Sequence, residues 1–174
     1  VENANDIGDF RVALTGTSSD GISKADEDQG NDEDDPYEAV TLSGKAGLNL
    51  PGDARIAASV LWSDAESAFD ASGGAHGDAD RVNESEELSA NVSLTGSLLD
   101  GRLENLLLVG YSDIDRQNFT DGAASFGAKG ERMIYRYQGT FTLNEMSTVA
   151  FGAEREDSEA NGNEATIDGL FALV

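Results

Sequence analysis

Carboxylates are the side chains of this 174-residue sequence that could do chemistry, and they are densest between Asp20 and Pro36. Seven of the ten residues from Asp26 to Asp35 are Asp or Glu. Such groups suit calcium, a hard cation that takes about six to eight oxygen ligands. The run is not an EF-hand, because it lacks the order D-x-[DN]-x-[DN]-G and the closing Glu. The alternative is a solvated loop whose like charges repel one another.

The overall composition excludes several classes of function. A net charge of −23 argues against a nucleic-acid partner, because phosphates attract the opposite sign. The sequence has no cysteine and a single histidine, so it offers no thiolate metal site and no nucleophile–base pair of the usual kind. We therefore expect neither an enzyme nor a nucleic-acid-binding protein.

Apolar and polar residues alternate on both sides of the acidic run. Phe10, Val12 and Leu14 alternate before it, and Val40 and Leu42 begin an alternation after it. A period of two is typical of a strand whose two faces meet different surroundings. The same pattern recurs along the chain and predicts eight strands at 7–18, 37–50, 54–64, 85–98, 103–113, 132–143, 147–155 and 165–174.

The connections between these strands alternate in length. Short turns are predicted at 51–53, 99–102 and 144–146, and long polar loops at 18–36, 65–84 and 115–130. In an antiparallel meander, all the short turns then lie at one end and all the long loops at the other. Strands of about ten residues with this asymmetry are typical of outer-membrane barrels. The predicted fold is therefore all-β: an antiparallel meander of about eight long strands that forms part of a transmembrane β-barrel.

Particular side chains fit that prediction. The aromatic residues Trp62, Tyr111, Tyr135 and Tyr137 could form interfacial girdles. Arg132 and Arg136 share the polar face of one strand, where they either line a substrate path or pair with wall carboxylates such as Glu154.

Other architectures also produce alternation. A soluble sheet or sandwich does so when its apolar faces pack on each other. Two alternatives therefore stay open: a soluble or surface-anchored acidic calcium-binding β-domain of adhesin type, and a complete small outer-membrane barrel.

Several phrases of the sequence resemble those of one family. They are FRVALTGTSSDGIS (10–23), LLVGYSDIDRQNF (107–119), KGERMIYRYQGTFTLN (129–144) and TVAFGAEREDS (148–158). They are similar to barrel strands of TonB-dependent outer-membrane receptors, most of all the cobalamin-transporter branch. The resemblance implies that 1–174 is a barrel segment without the plug domain, located in the bacterial outer membrane.

The resemblance also implies a function and partners. Such a receptor captures cobalamin or a siderophore-type nutrient with its extracellular loops, contacts outer-membrane lipids, and is driven by the TonB complex through the plug. It further implies calcium bound by aspartates of neighbouring loops, which would order those loops for substrate. The matching residues are Asp20, Asp32, Asp34, Asp70 and Asp80, with Asp35 for Asp34 and Asp78 for Asp80 as register alternatives.

Overall fold

The computed structural model describes residues 1–21, 34–70 and 81–174. These residues form a nine-stranded antiparallel sheet in which each strand pairs with its neighbours in sequence, which confirms the predicted all-β meander. No helix among them is long and apolar enough to span a membrane. The strands are β1 (Glu2–Ala4), β2 (Gly8–Ser19), β3 (Tyr37–Leu50), β4 (Ala54–Ala68), β5 (Arg81–Leu98), β6 (Leu103–Thr120), β7 (Ala123–Asn144), β8 (Ser147–Ala160) and β9 (Asn163–Leu173).

The register sorts the side chains onto two faces. Leu42 lies opposite Trp62, which lies opposite Leu88, so apolar residues meet across the strands. The apolar face comprises the even-numbered residues of β2 to β5 and β9, together with the odd-numbered residues of β6, β8 and β7 from Gly127 to Leu143. The remaining strand residues form the polar face. The run from Leu106 to Val109, whose faces the alternation leaves unassigned, alternates between both.

The sheet is a single layer. Among the described residues no hydrophobic side chain is buried, and large ones on the apolar face stay open, with Val92 52% and Leu170 88% exposed. A sandwich would instead bury such a face against a second sheet. The exposed area therefore needs something other than this part of the chain to cover it.

The apolar face forms a belt with a clear edge on the side of the acidic loop, which we call the loop end. The last apolar residue before charges begin is Val40 in β3, Ala153 in β8 and Leu170 in β9. The row of paired residues that starts at Val40 in β3 crosses β4 to β7 and reaches β8 at Asn161. Asn161 lies eight residues beyond Ala153, the last apolar residue of β8. Eight residues of about 3.3 Å, over the five strand spacings of about 4.8 Å from β3 to β8, correspond to strands tilted by roughly 45–50° from the perpendicular to that edge.

One predicted long loop is wrong. The segment 115–130 is not a loop, because β6 continues to Thr120 and β7 starts at Ala123. The turn between them is Asp121-Gly122, and both residues have positive φ, the geometry of a tight hairpin. The segment between the predicted strands 147–155 and 165–174 likewise contains only the two-residue turn Asn161-Gly162 between β8 and β9. In both places the alternation fades because both faces are polar beyond the belt, although the strands persist.

Two smaller corrections follow from the pairing. The predicted loop 65–84 is shorter, since β4 runs to Ala68 and β5 begins at Arg81. A ninth strand, β1, also pairs with β2 at the start of the chain. It turns at Asn5, whose side-chain oxygen accepts hydrogen bonds from the backbone N–H groups of Ile7 and Gly8. No alternation was visible in so short a strand.

Candidate functional site

The predicted calcium ligands that can be located lie at the loop end. There Ser19 is opposite Tyr37, Tyr37 is opposite Ser67, and Ser67 is opposite Asn83. Asp20 directly follows β2, Asp34 and Asp35 lie just before β3, and Asp70 lies just after β4. The structure therefore brings Asp20, Asp34 and Asp70, with the alternative Asp35, to the same end of neighbouring strands. Asp32, Asp80 and the alternative Asp78 lie outside the described residues.

Backbone contacts hold this end of the sheet together. The Ala68 N–H donates to the Pro36 carbonyl oxygen over 2.9 Å, and the Phe69 N–H donates to the Arg81 carbonyl oxygen over 3.0 Å. Gly21 has φ +74°, and a Cβ added to it would collide with the Asp35 backbone oxygen. Only glycine fits so close an approach at this φ without strain, so Gly21 keeps Asp20 beside the start of β3.

The aspartates differ in exposure. Asp70 is 8% exposed and is the buried polar residue of the described part, whereas Asp20 and Asp34 are exposed. Within residues 1–21, 34–70 and 81–174, no group of three or more acidic or histidine side chains is close enough to hold a metal ion. Calcium binding at the loop end therefore stays a prediction.

Among the described residues the polar face carries five ion pairs, and three of them join β5 to β6 or β7 to β8. Arg116 of β6 lies 3.0 Å from Glu87 of β5. In β7 and β8, Arg132 lies 2.6 Å from Glu156, and Arg136 pairs with Glu154. The predicted pairing of these arginines with wall carboxylates is thus confirmed. Glu87 and Glu156 were not identified from the sequence as partners of these arginines, since the pairing depends on a register that spans 29 and 24 residues.

Charge is distributed unequally between the two faces. On the polar face of the described strands seven cations meet six carboxylates, whereas on the apolar face two cations meet twelve. The polar-face residues are Arg11, Lys45, Arg55, Arg81, Arg116, Arg132 and Arg136 against Glu2, Asp9, Glu87, Glu104, Glu154 and Glu156. The apolar-face residues, all beyond the belt toward the loop end, are Lys129 and Arg155 against Glu38, Asp64, Glu66, Glu84, Glu86, Asp113, Asp115, Glu131, Asp157, Glu159, Glu164 and Asp168.

Two aromatic side chains mark the edge of the belt. The Trp62 Nε1–H donates to Glu86 Oε1 over 2.9 Å, and the Tyr111 hydroxyl donates to Glu131 Oε1 over 2.8 Å. Each ring is the last apolar group of its strand, and each carboxylate is the first charged group of the next. An apolar body with a polar tip suits a boundary between hydrocarbon and water. The predicted girdle residues Tyr135 and Tyr137 lie further inside the belt.

Beyond the belt, charged residues of the apolar face pair within β8 and between β6 and β7. Arg155 donates to both carboxylate oxygens of Asp157, and the Thr166 hydroxyl donates to Asp157 Oδ1 over 2.7 Å. These donors hold the pKa of Asp157 below its ordinary value. The hydrogen bond to Asp115 similarly raises the pKa of the Lys129 ammonium. These contacts join β8 to β9 and β6 to β7 where the hairpins continue past the belt.

Comparison with known proteins identifies the architecture. No protein-family model and no curated protein matches the sequence. Among solved structures, the chain is similar to the ferripyoverdine receptor of the outer membrane of Pseudomonas aeruginosa, solved with ferripyoverdine bound. The TM-score is 0.63 at 14% identity, over 97% of this chain and 30% of the receptor. The chain thus has the fold of an outer-membrane receptor barrel segment and spans less than a third of that receptor's length.

Proposed function

We propose that this chain forms part of the wall and mouth of a TonB-dependent outer-membrane receptor that imports a scarce, large nutrient. The observation that carries the proposal is the single-layer sheet, whose exposed apolar belt lies on one face and whose charge-balanced polar side chains lie on the other. In this arrangement membrane lipid covers the belt, and water and substrate occupy the polar side. No chemical bond is made or broken by the chain in this role.

The dimensions of the belt support a membrane location. In β3 it extends from Val40 to Leu50, about the number of residues that a tilted strand needs to cross a bilayer. The tilt of roughly 45–50° is close to the ~45° of transmembrane strands. Trp62 and Tyr111 stand at the edge of the belt, where interfacial aromatic residues are expected.

The open edges of the sheet are consistent with a larger barrel. Within the described residues, β1 and β9 form the two edges and do not pair with each other. Exposed strand edges are a liability that barrels remove by closure. We propose that further strands close this barrel and that the TonB complex acts through a plug domain elsewhere in the same protein.

We propose an iron–siderophore complex as the substrate class, with cobalamin as the alternative. Similarity to a ferripyoverdine receptor favours the siderophore, but at 14% identity it supports this choice only through the fold. The loop-end aspartates would bind calcium and order the loops around the substrate.

Membrane topology can be tested with cysteines at two adjacent positions of β5 in the intact protein. Val92→Cys places a thiol on the apolar face, and Asn91→Cys places one on the polar face. We expect a water-soluble maleimide to label Asn91→Cys in outer membranes and to leave Val92→Cys unlabelled until detergent and denaturant are added. Equal labelling of both thiols, together with solubility of the protein without detergent, would instead support the adhesin-like domain.

A further inference from the structure

The ion pairs of the polar face descend along the proposed substrate path. Arg116 lies five residues beyond Tyr111, the edge of the belt in its strand, and Arg136 lies three residues inside Met133, the edge in β7. The pair between Arg132 and Glu156 lies between these two levels. The three pairs thus run from the loop end down to the level of the belt.

Each of these arginines is already occupied by a carboxylate of the wall. A guanidinium is the side chain best suited to bind carboxylate or catecholate oxygens, because its N–H groups form a planar fork. Here Glu87, Glu156 and Glu154 accept hydrogen bonds from those forks. To reach an arginine, an anionic substrate would have to displace the paired glutamate. The displaced carboxylate would then repel the substrate, because both are negatively charged.

The contribution of these ion pairs to the stability of the fold does not explain their presence. The arginine side chains are 43% to 52% exposed, and pairs between groups this exposed contribute little to stability. Their placement is better explained by the negative charge that the glutamates present to a substrate. Contacts between like charges are strongly unfavourable, so these glutamates select against negatively charged substrates.

We propose that Glu87, Glu154 and Glu156 are specificity-determining residues that make the receptor select against anionic substrates. This inference rests on the proposed function. The substrate class it names is a neutral or cationic ferric complex, such as a trihydroxamate, or a neutral corrinoid. Ferric tris-catecholates, which carry a triple negative charge, are taken up poorly.

The test is uptake by cells in which the intact protein is the only receptor for the supplied nutrient. The probes are a neutral ferric trihydroxamate, a cationic ferric trihydroxamate with a free ammonium group, a ferric tris-catecholate and cyanocobalamin. The test variant carries both Glu154→Gln and Glu156→Gln, and we call it the double variant. The matched control is Glu164→Gln on the apolar face. Heat-modifiable gel migration reports how much folded receptor each strain contains.

We expect the wild type and Glu164→Gln to take up a neutral or cationic probe at least roughly tenfold faster than the tris-catecholate. In the double variant, Arg132 and Arg136 lose their carboxylate partners. Uptake of the tris-catecholate should therefore rise, and the difference in rate between it and the neutral or cationic probes should become smaller. Efficient tris-catecholate uptake by the wild type, or an equal fall for every probe in the double variant, would overturn the inference while leaving the receptor function intact. If the cells take up none of the four probes, both the proposed function and the inference are overturned.

Discussion

Val92 and Asp168 lie on one row of the sheet's register, four strands apart, yet Val92 is inside the apolar belt and Asp168 is beyond its edge. Between them the row passes through Val109, Tyr135 and Arg155 and changes from apolar to charged. A row that crosses the edge of the belt in this way requires strands tilted relative to that edge. A membrane surface imposes such an edge on a tilted barrel.

Trp62, the single tryptophan of the sequence, provides a natural probe of depth. Its indole lies at the edge of the belt and donates to Glu86. In lipid vesicles we expect its fluorescence to be quenched more strongly by lipids brominated near the headgroup than by lipids brominated near the chain ends. Strong quenching by acrylamide in water, with none by brominated lipid, would contradict the assignment.

Gly152 should tolerate no side chain. A Cβ at this position would collide with the Tyr137 backbone oxygen and with the ring of Phe171. Gly152→Ala should therefore lower the free energy of unfolding by roughly 1–3 kcal/mol, measured by urea unfolding in lipid vesicles. Gly169→Ala is the control in the neighbouring strand, because a Cβ added there would meet no atom within 4 Å, and it should change stability by less than roughly 0.5 kcal/mol. Equal effects of the two substitutions would count against this packing.

Acid should weaken the contact between β8 and β9. Because the pKa of Asp157 is lowered in the folded protein, its carboxylate stabilises the fold above the ordinary pKa of 3.8, and that stabilisation disappears as the pH falls through the lowered value. The stability difference between the wild type and Asp157→Asn should thus be largest near neutral pH and vanish in strong acid. Urea unfolding as a function of pH measures this, with Glu164→Gln as a control whose effect should not follow the same profile.

Calcium should bind at the loop end. We expect titration calorimetry on the refolded receptor to detect binding, and Asp20→Asn or Asp34→Asn to weaken it by roughly tenfold or more, because each removes a charged oxygen ligand. Asp100→Asn, in the turn at the opposite end of the sheet, should leave the affinity unchanged. An absence of heat with the wild type would reject the calcium site.

The sequence predicts this fold well wherever the two faces of a strand meet different surroundings. The alternation around Val40 and Val92 therefore locates β3 and β5. It fails beyond the belt, where β6 and β7 are polar on both faces, although Asp121-Gly122 was a usable hairpin signal. The ion-pair partners of Arg116 and Arg132 depend on long-range register, which no local pattern encodes.

Spin labels at Val92→Cys and Asp168→Cys in the membrane-inserted protein test the central claim most directly. A tilted membrane barrel predicts that the label at Val92 collides more with oxygen, which concentrates in lipid. The label at Asp168, on the same register row, should collide more with a water-soluble nickel chelate. Equal preference for the nickel chelate at both positions would show that the belt does not face lipid and would contradict the account.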